Sequence, residues 1–569
     1  MTENRFGSWK NQMLFLADDG DSGLHIKIAD EAAEIVRTKN PDFVVNKVYL
    51  DSYQQETTAS GESYPIAKNR LDNLLNSGVL YFNYSGHGGY NAITNESMLD
   101  LRSIRAMRNA NQAFWMFATC SFSHFDSGKR CAAEEAVLNE KGGAIGVMSA
   151  CRTVFASNNR VINANLCDTL FAHKNSFSYV STLGEASRSA KNKTGPADDN
   201  KLPYILLGDP ALRLAYPTEF NVQTTSCSDT IRALTTHKVQ GQIIDSTNTL
   251  MDWFNGKVHV IIYDKLQRLT TRDNDAKSED KKVTYTFNDY PNIIFRSDIN
   301  VKNGKFEFVF MTPKDIRYNY GNGRMVYYAY DEENKAEAVG HYEDMIIGGS
   351  SSVVIQDTIG PEITMYLNNP AFINFGITHD HPHFYAQLED EHGINTVGSG
   401  IGHDLLMIVD EQSSQTYVLN EYFSNTDGDY RKGVVDYKMP PLEEGDHVMT
   451  FRAWDLCNNS STEKLYFTVV KGLNTQVFSM VTYPNPVSMN GTVHMRIEYD
   501  RPDDLVQTDV YVYNPYGQLV WHHSQEDAKE IEWNIGQMGI TTGLYTYRVI
   551  LKTEDTSAVS KTGKIIVTK

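Results

Sequence analysis

Near the start of the chain, three kinds of residue are spaced as an acyl-transfer site requires. A histidine stands among glycines in Ser85-Gly86-His87-Gly88-Gly89. A cysteine follows 33 positions later in Ala118-Thr119-Cys120-Ser121-Phe122, and carboxylates crowd Asp18-Asp19-Gly20-Asp21. A thiol is mostly protonated at neutral pH, so a cysteine nucleophile needs an imidazole to take its proton or to hold the thiolate as an ion pair. Glycines beside the imidazole leave backbone N–H groups uncovered, and each donor aimed at a developing oxyanion is worth about 10²–10³ in rate. The pattern suits Cys120 as nucleophile, His87 as base, and the N–H groups of Gly88 and Cys120 as the oxyanion pair. Each part alone has a plainer reading: Gly-His-Gly as a tight turn, and a cysteine after an apolar strand as a small buried hydrophobe. Their combination argues for a site.

Two other chemistries compete. His87, Cys120 and His124 are three potential zinc ligands, but no closely spaced pair such as CxxC or HxxxH anchors them, so metal takes second place. Cys151 is a rival nucleophile without a glycine-exposed turn before it. Together with Arg152 and Asp18 it is assigned to the lining of the substrate cleft.

The elements that must position these residues alternate. Apolar runs at 13–17, 43–50, 79–84, 113–119 and 143–150 read as strands. Between them, 24–36 is a helix with Leu24, Ile28, Ala32 and Ile35 inward, and 67–77 a helix with Leu71, Leu74 and Leu75 inward. Shorter helices are expected around Met98, Leu101 and Ile104 and over 131–140, and 202–217 closes the unit. Continuous apolar strands separated by amphipathic helices predict a parallel sheet covered on both faces. In such a sheet the ligand crevice lies outside the carboxyl ends of the strands, where Asp18–Asp21, His87 and Cys120 all fall.

Beyond residue 217 helical periodicity fades, and short alternating segments with Gly- and Asn-rich turns predict β-sandwich modules. Four domains follow, at 1–217, 218–353, 354–472 and 473–569, with linkers at 348–353, 357–363 and 471–476. The length of 569 residues agrees, at about 150 residues per domain. A net charge of −19 excludes a nucleic-acid binder, which needs a basic face to displace counterions. The six cysteines form no CxxC and are too few for a disulfide-built scaffold, so most are expected to be buried thiols. No apolar run reaches the roughly 18–20 residues of a membrane-spanning helix, and the first residues carry no apolar signal-peptide core. That leaves a cytoplasmic protein or a piece of a longer exported precursor.

The stretches YFNYSGHGG and ATCSF, joined by FLADDGD, GGAIGVMSACRTVF and YILLGDPALRLAYP, resemble gingipain-type cysteine peptidases, a branch of the caspase-like clan. Within that branch they are similar to the sortases of the type IX secretion system. The resemblance implies an α/β caspase-like parallel-sheet domain followed by three all-β, Ig-like sandwiches. It implies a cell-surface cysteine endopeptidase that removes the C-terminal signal domains of secreted cargo. The acyl group would pass to an amine of anionic lipopolysaccharide or to water. Cys120 matches the family's nucleophile and His87 its base. The orienting acid is assigned to Asp19, ahead of Asp18, the alternative being that these carboxylates cap the next helix or bind calcium. The family's upstream α/β subdomain is missing, so the chain is expected to be the C-terminal part of a longer precursor. No cofactor is required, with structural calcium as an option.

Residues 477–569 are similar, through YPNPV, VYVYNPYGQLVW, GLYTYRVIL and KTGKIIVTK, to the C-terminal signal domain of type IX cargo. Retained, that domain would dock on an outer-membrane β-barrel shuttle of the PorV-like kind and hold the enzyme at the bacterial outer surface. Two rival functions are a secreted gingipain-like protease that is itself cargo, and an inactive surface scaffold or adhesin. Two further clusters are weighed as structural. His379, His381 and His383 alternate in THDHPH and would share one face of an extended segment, although a solvent-exposed turn is favoured. The glycine-rich 390–404 reads as an interstrand loop, with calcium a minor option.

Overall fold

The computed structural model describes residues 6–58, 61–171, 181–196, 198–274, 283–351, 355–397, 402–412, 415–475, 477–501, 506–526, 528, 530–537, 539–553, 557–559 and 562–569. Parts of three expected segments lie outside the described residues: 352–353 and 476 of the linkers, and 398–401 of the glycine-rich loop.

The first unit is built on six strands: β1 (Gln12–Ala17), β2 (Val44–Tyr49), β3 (Tyr81–Ser85), β4 (Ala113–Ala118), β5 (Ala144–Ala150) and β6 (Tyr204–Gly208). They lie in the order β6-β5-β4-β3-β1-β2. The first five run parallel, and β6 is an antiparallel edge. Among the described residues six helices cover it: α1 (Leu24–Lys39), α2 (Pro65–Ser77), α3 (Leu101–Ala106), α4 (Ala132–Leu138), α5 (Ala156–Leu170) and α6 (Leu183–Lys193). Alternate residues of β1 face opposite layers. Met13 and Phe15 pack with Ile26, Ala29, Ile162, Leu166 and Ala186 from α1, α5 and α6. Leu14 and Leu16 pack with Leu71, Leu75, Ile104 and Ala132 from α2, α3 and α4. Both faces are therefore buried, which is why the strands read as unbroken apolar runs.

The inward face of α1 differs from expectation. Its buried stripe is His25, Ile26, Ile28, Ala29, Ala32, Ala33 and Val36, while Leu24 and Ile35 are only half-buried. The stripe is centred on Ala29, Ala32 and Ala33, all of them buried.

The rest of the chain is mostly β-sheet, with separate apolar cores over 222–347, 367–469 and 487–567, the first also taking in Val397. Between the first two, strand Ile293–Val301 meets Phe423–Thr426 through Ser297 and Asn425, and Lys305–Met311 meets Asp429–Lys438 through Val309 and Asp429. An eleven-stranded sheet consequently takes strands from both the second and the third expected domains. The THDHPH histidines do not converge. His379 and His383 are buried against the Asp500 carbonyl and the Asp436 carboxylate, and only His381 is exposed. That segment is neither a metal face nor an open turn.

The α/β unit docks on the β region through satisfied polar groups. Lys47 on β2, about as buried as a lysine can be at 1% side-chain exposure, donates to Asp30 at 2.7 Å, to Glu34 at 2.8 Å and to the Asn288 carbonyl at 2.7 Å. Asp51 accepts the N–H groups of Asp273 and Asn274, and Arg324 donates to the carbonyls of Pro41 and Phe43. Phe287 joins the core of the α/β unit directly. A cavity of about 490 Å³ at this junction, lined by Arg70, Asp289, Arg296 and Glu421 among others, lies away from the expected catalytic residues.

Candidate active site

Ala17, Ser85 and Ala118 stand level across β1, β3 and β4. Asp18, His87 and Cys120 therefore leave the sheet at one edge, one or two residues later. This is the carboxyl-end crevice expected of a parallel sheet.

The His87 backbone is clamped while its ring stays open. Its N–H donates to Asp18 Oδ2 at 2.9 Å, and its carbonyl accepts from Tyr84 Oη at 2.6 Å and from the Thr94 N–H at 3.0 Å. The side chain is 47% exposed. Asp21 Oδ1 lies 3.7 Å from Nε2, and the His25 ring meets it edge-on at 4.9 Å between centroids. His25 is buried, and burial together with its neighbour His87 lowers its pKa to about 4.

The glycines do separate jobs. A Cβ on Gly86 would stand 2.1 Å from Tyr84 Oη and 2.5 Å from Asp18 Cβ, so that position is closed by packing. A Cβ on Gly88 would stand 2.5 Å from Thr119 Oγ1, which brings the Gly88 backbone against the residue before Cys120. Gly88 is opposed to Ile93, and the flanking bonds run from Gly89 N–H to Ala92 and from Thr94 N–H to His87. In that non-hydrogen-bonded pairing the Gly88 N–H points away from Ile93.

Cys120 is half-buried, and its Sγ lies 3.3 Å from the Val154 carbonyl and 3.4 Å from the Val154 N. The His87 ring makes no hydrogen bond to it among the described residues. Ser121 follows at φ +54°, a left-handed turn unusual for serine. Its N–H donates to the Arg152 carbonyl, and the Ser123 N–H to that of Ala150, stitching the loop after β4 to the loop after β5.

The structure redistributes the acids. Asp18 is 1% exposed and faces the His87 backbone, so it underpins the histidine and does not line an open cleft. Burial pushes its carboxyl up to about 8. Asp19 accepts from Tyr64 Oη, whereas Asp21 is the carboxylate found beside the His87 ring. Asp21 and Ser22 both adopt positive φ, 54° and 53°, and that bend turns the Asp21 carboxylate back toward the crevice. Arg152 pairs with Asp126 through both guanidinium nitrogens, at 2.9 and 2.5 Å, holding that carboxyl below its usual range, and His124 lies 3.5 Å from the same acid. Cys151, half-buried, is tied by its N–H to Pro203. Burial raises the thiols of Cys131 and Cys227 to about 11 and those of Cys167 and Cys457 to about 12.

Sequence reasoning missed His25, Tyr64, Tyr84, Thr119 and Val154, whose parts depend on how the loops bend. It also missed three exposed aromatics in the loops that follow β3, β4 and β5: Tyr90, Phe125 and Phe155, the last 73% exposed. An aromatic in a polar loop just after a core strand was the available signal. Groups close enough to share a metal ion among the described residues are Asp18, His25 and His87; Asp18, Asp19 and Glu96; and two sets around Asp357, with His392 and Cys457 or with Asp390 and Asp455. The set His87, Cys120 and His124 is not among them.

The match to a known family falls on this unit. Residues 1–215 match the model of peptidase family C25. That is the gingipain family of cysteine peptidases, and it spans both His87 and Cys120. No curated protein matches the chain. Among solved structures, dimeric latent PorU from Porphyromonas gingivalis is 28% identical, over 75% of this chain and 41% of that one, with a TM-score of 0.31. The Arg-specific cysteine proteinase gingipain R is 15% identical, over 60% and 67%, also at 0.31. Fibronectin(III)-like modules of Clostridium thermocellum CbhA are 12% identical, over 36% and 94%, at 0.15. The chain spans less than half the length of the PorU chain it matches.

Proposed function

We propose that the protein is a cysteine endopeptidase of the sortase kind, acting at the outer face of a bacterial outer membrane. The observation that carries this is the emergence of His87 and Cys120 from adjacent parallel strands at one sheet edge, inside the C25 segment. The Cys120 thiolate attacks the scissile carbonyl carbon, and the oxyanion is received by the Gly88 and Cys120 N–H groups. The C–N bond breaks as the His87 imidazolium passes its proton to the leaving amine. Water or an amine then attacks the thioester, His87 takes its proton, and the thiolate leaves. Before the first step the Cys120 side chain turns from the Val154 backbone toward His87. Asp21, and not Asp19, is the acid proposed to steady the His87 ring.

The proposed substrates are C-terminal signal domains of secreted proteins, and the proposed acceptor is an amine of anionic lipopolysaccharide. Residues 477–569 are proposed as the tether to a PorV-like outer-membrane barrel. No helix among the described residues is long and apolar enough to cross a membrane. A purified cargo carrying its signal domain tests the reading. Incubation should yield a thioester on Cys120 by mass spectrometry, and added glycyl peptide should be joined to the cargo. Cleavage without any amine-dependent product would reduce the reading to an ordinary peptidase. No thioester and no cleavage would leave the scaffold alternative.

A further inference from the structure

We propose that Asp18, Asp21, His25 and His87 form a zinc-binding site that, when filled, takes the base away from Cys120. The donor atoms of Asp18, His25 and His87 lie within 4.8 Å of one another. Asp21 adds a fourth carboxylate, with Oδ2 3.3 Å from His25 Nε2 and Oδ1 3.7 Å from His87 Nε2. The site has a second mark besides this convergence. His25 is 3% exposed, and its Nε2 is enclosed with no hydrogen-bond partner among the described residues; the Asp21 oxygen at 3.3 Å is near but not aligned for a bond. Buried ring nitrogens are normally paired, so an imidazole nitrogen left open and aimed at two carboxylates and a second imidazole is arranged for a cation.

The donor set selects the metal. Two imidazole nitrogens and two carboxylate oxygens suit zinc, which takes four such ligands at roughly 2.0–2.2 Å in a tetrahedron. Calcium would call for more oxygens and no imidazole. His25 is fixed in the first turn of α1, and Asp18 is held by the His87 N–H. The half-exposed ring of His87 is free to swing onto the ion. Zinc on Nε2 displaces Asp21 from that nitrogen, lowers the basicity of Nδ1 and pins the ring toward α1 and away from Cys120, so acyl transfer stops until the ion is removed. The arrest rests on the peptidase reading above; the binding does not.

The test is calorimetric titration of the full chain with zinc alone. The chain carries Cys457→Ser and Asp357→Asn, which break both sets around Asp357 so that neither competes. One site per chain is expected, weakened at least tenfold by His25→Gln and by Asp21→Asn and unchanged by Cys120→Ala. Cobalt bound in place of zinc should show no thiolate-to-metal charge-transfer band. Equal zinc affinity in the parent and His25→Gln, with both folded by circular dichroism, overturns the proposal. So does loss of binding in Cys120→Ala, or a thiolate band with cobalt. If binding follows the expected pattern but the chain cleaves no cargo, the zinc site stands and the peptidase reading fails. If the chain cleaves cargo but zinc binding does not need His25, the reverse holds.

Discussion

At the residue scale, the glycines and acids around His87 set the expected sizes of effect. Gly88→Ala would drive a methyl to 2.5 Å from Thr119 Oγ1 and push the oxyanion donor out of place. A lost donor corresponds to a fall of about 10²–10³ in kcat, with KM little changed. An unchanged kcat for cargo cleavage would remove Gly88 from the oxyanion pair. Asp21 and His87 are both about half exposed, so their pairing is worth at most about 1 kcal/mol. Asp21→Asn should accordingly cost about fivefold in kcat/KM and Asp19→Asn less, as peptide kinetics would show; the reverse ranking restores Asp19 as the orienting acid. Asp18 gives a stability effect instead. Its carboxyl titrates near 8 in the fold against an ordinary 3.8, so across that window the folded chain keeps a proton the unfolded chain has released. This group therefore makes the fold less stable as pH rises through the window. Urea denaturation at about pH 5 and about pH 8 should show a smaller loss with pH in Asp18→Asn than in the parent, and equal losses would contradict the buried neutral carboxyl.

At the scale of elements, the sheet was legible and the loops were not. β1 to β5 could be read because burial on both faces imposes unbroken apolar runs, and the strand ends then located His87 and Cys120. α5 escaped because its buried positions include Asn159 and Asn163, with Asn163 bonded to Asn83 inside the layer, which breaks the apolar period. α6 did carry a signal, the capping box of Thr182 and Glu185. The choice between Asp19 and Asp21 turns on two positive-φ residues after β1, which no periodicity encodes. The sheet pairing between the second and third expected domains was equally hidden, since strand patterns do not say which edges of two modules will meet. Lys47 ties β2 to α1 and to the β region at once. Lys47→Met leaves Asp30 without its cation and Glu34 with Arg37 alone, and breaking such a buried pair costs about 3–5 kcal/mol. An unfolding free energy within about 1 kcal/mol of the parent, from urea denaturation, would show that the pair is not structural.

At the scale of the whole molecule, the catalytic unit is completed by its neighbours. Phe287 fills its core, Asp273 and Asn274 satisfy Asp51, and Arg70 donates to Glu421 at 2.8 Å. Residues 1–217 expressed alone should be less soluble and melt lower than 1–472, and equal melting temperatures would make the docking incidental. The reactivity of Cys120 belongs to the intact chain too, because the loops that hold Cys120 and Val154 sit on that docked unit. The most direct measurement is labelling of the full chain with an electrophilic, cysteine-directed peptide, followed by mapping of the adduct. The expected adduct is on Cys120, disappears in Cys120→Ala and persists in Cys151→Ala. An adduct that maps to Cys151, survives Cys120→Ala and is lost in Cys151→Ala would contradict it.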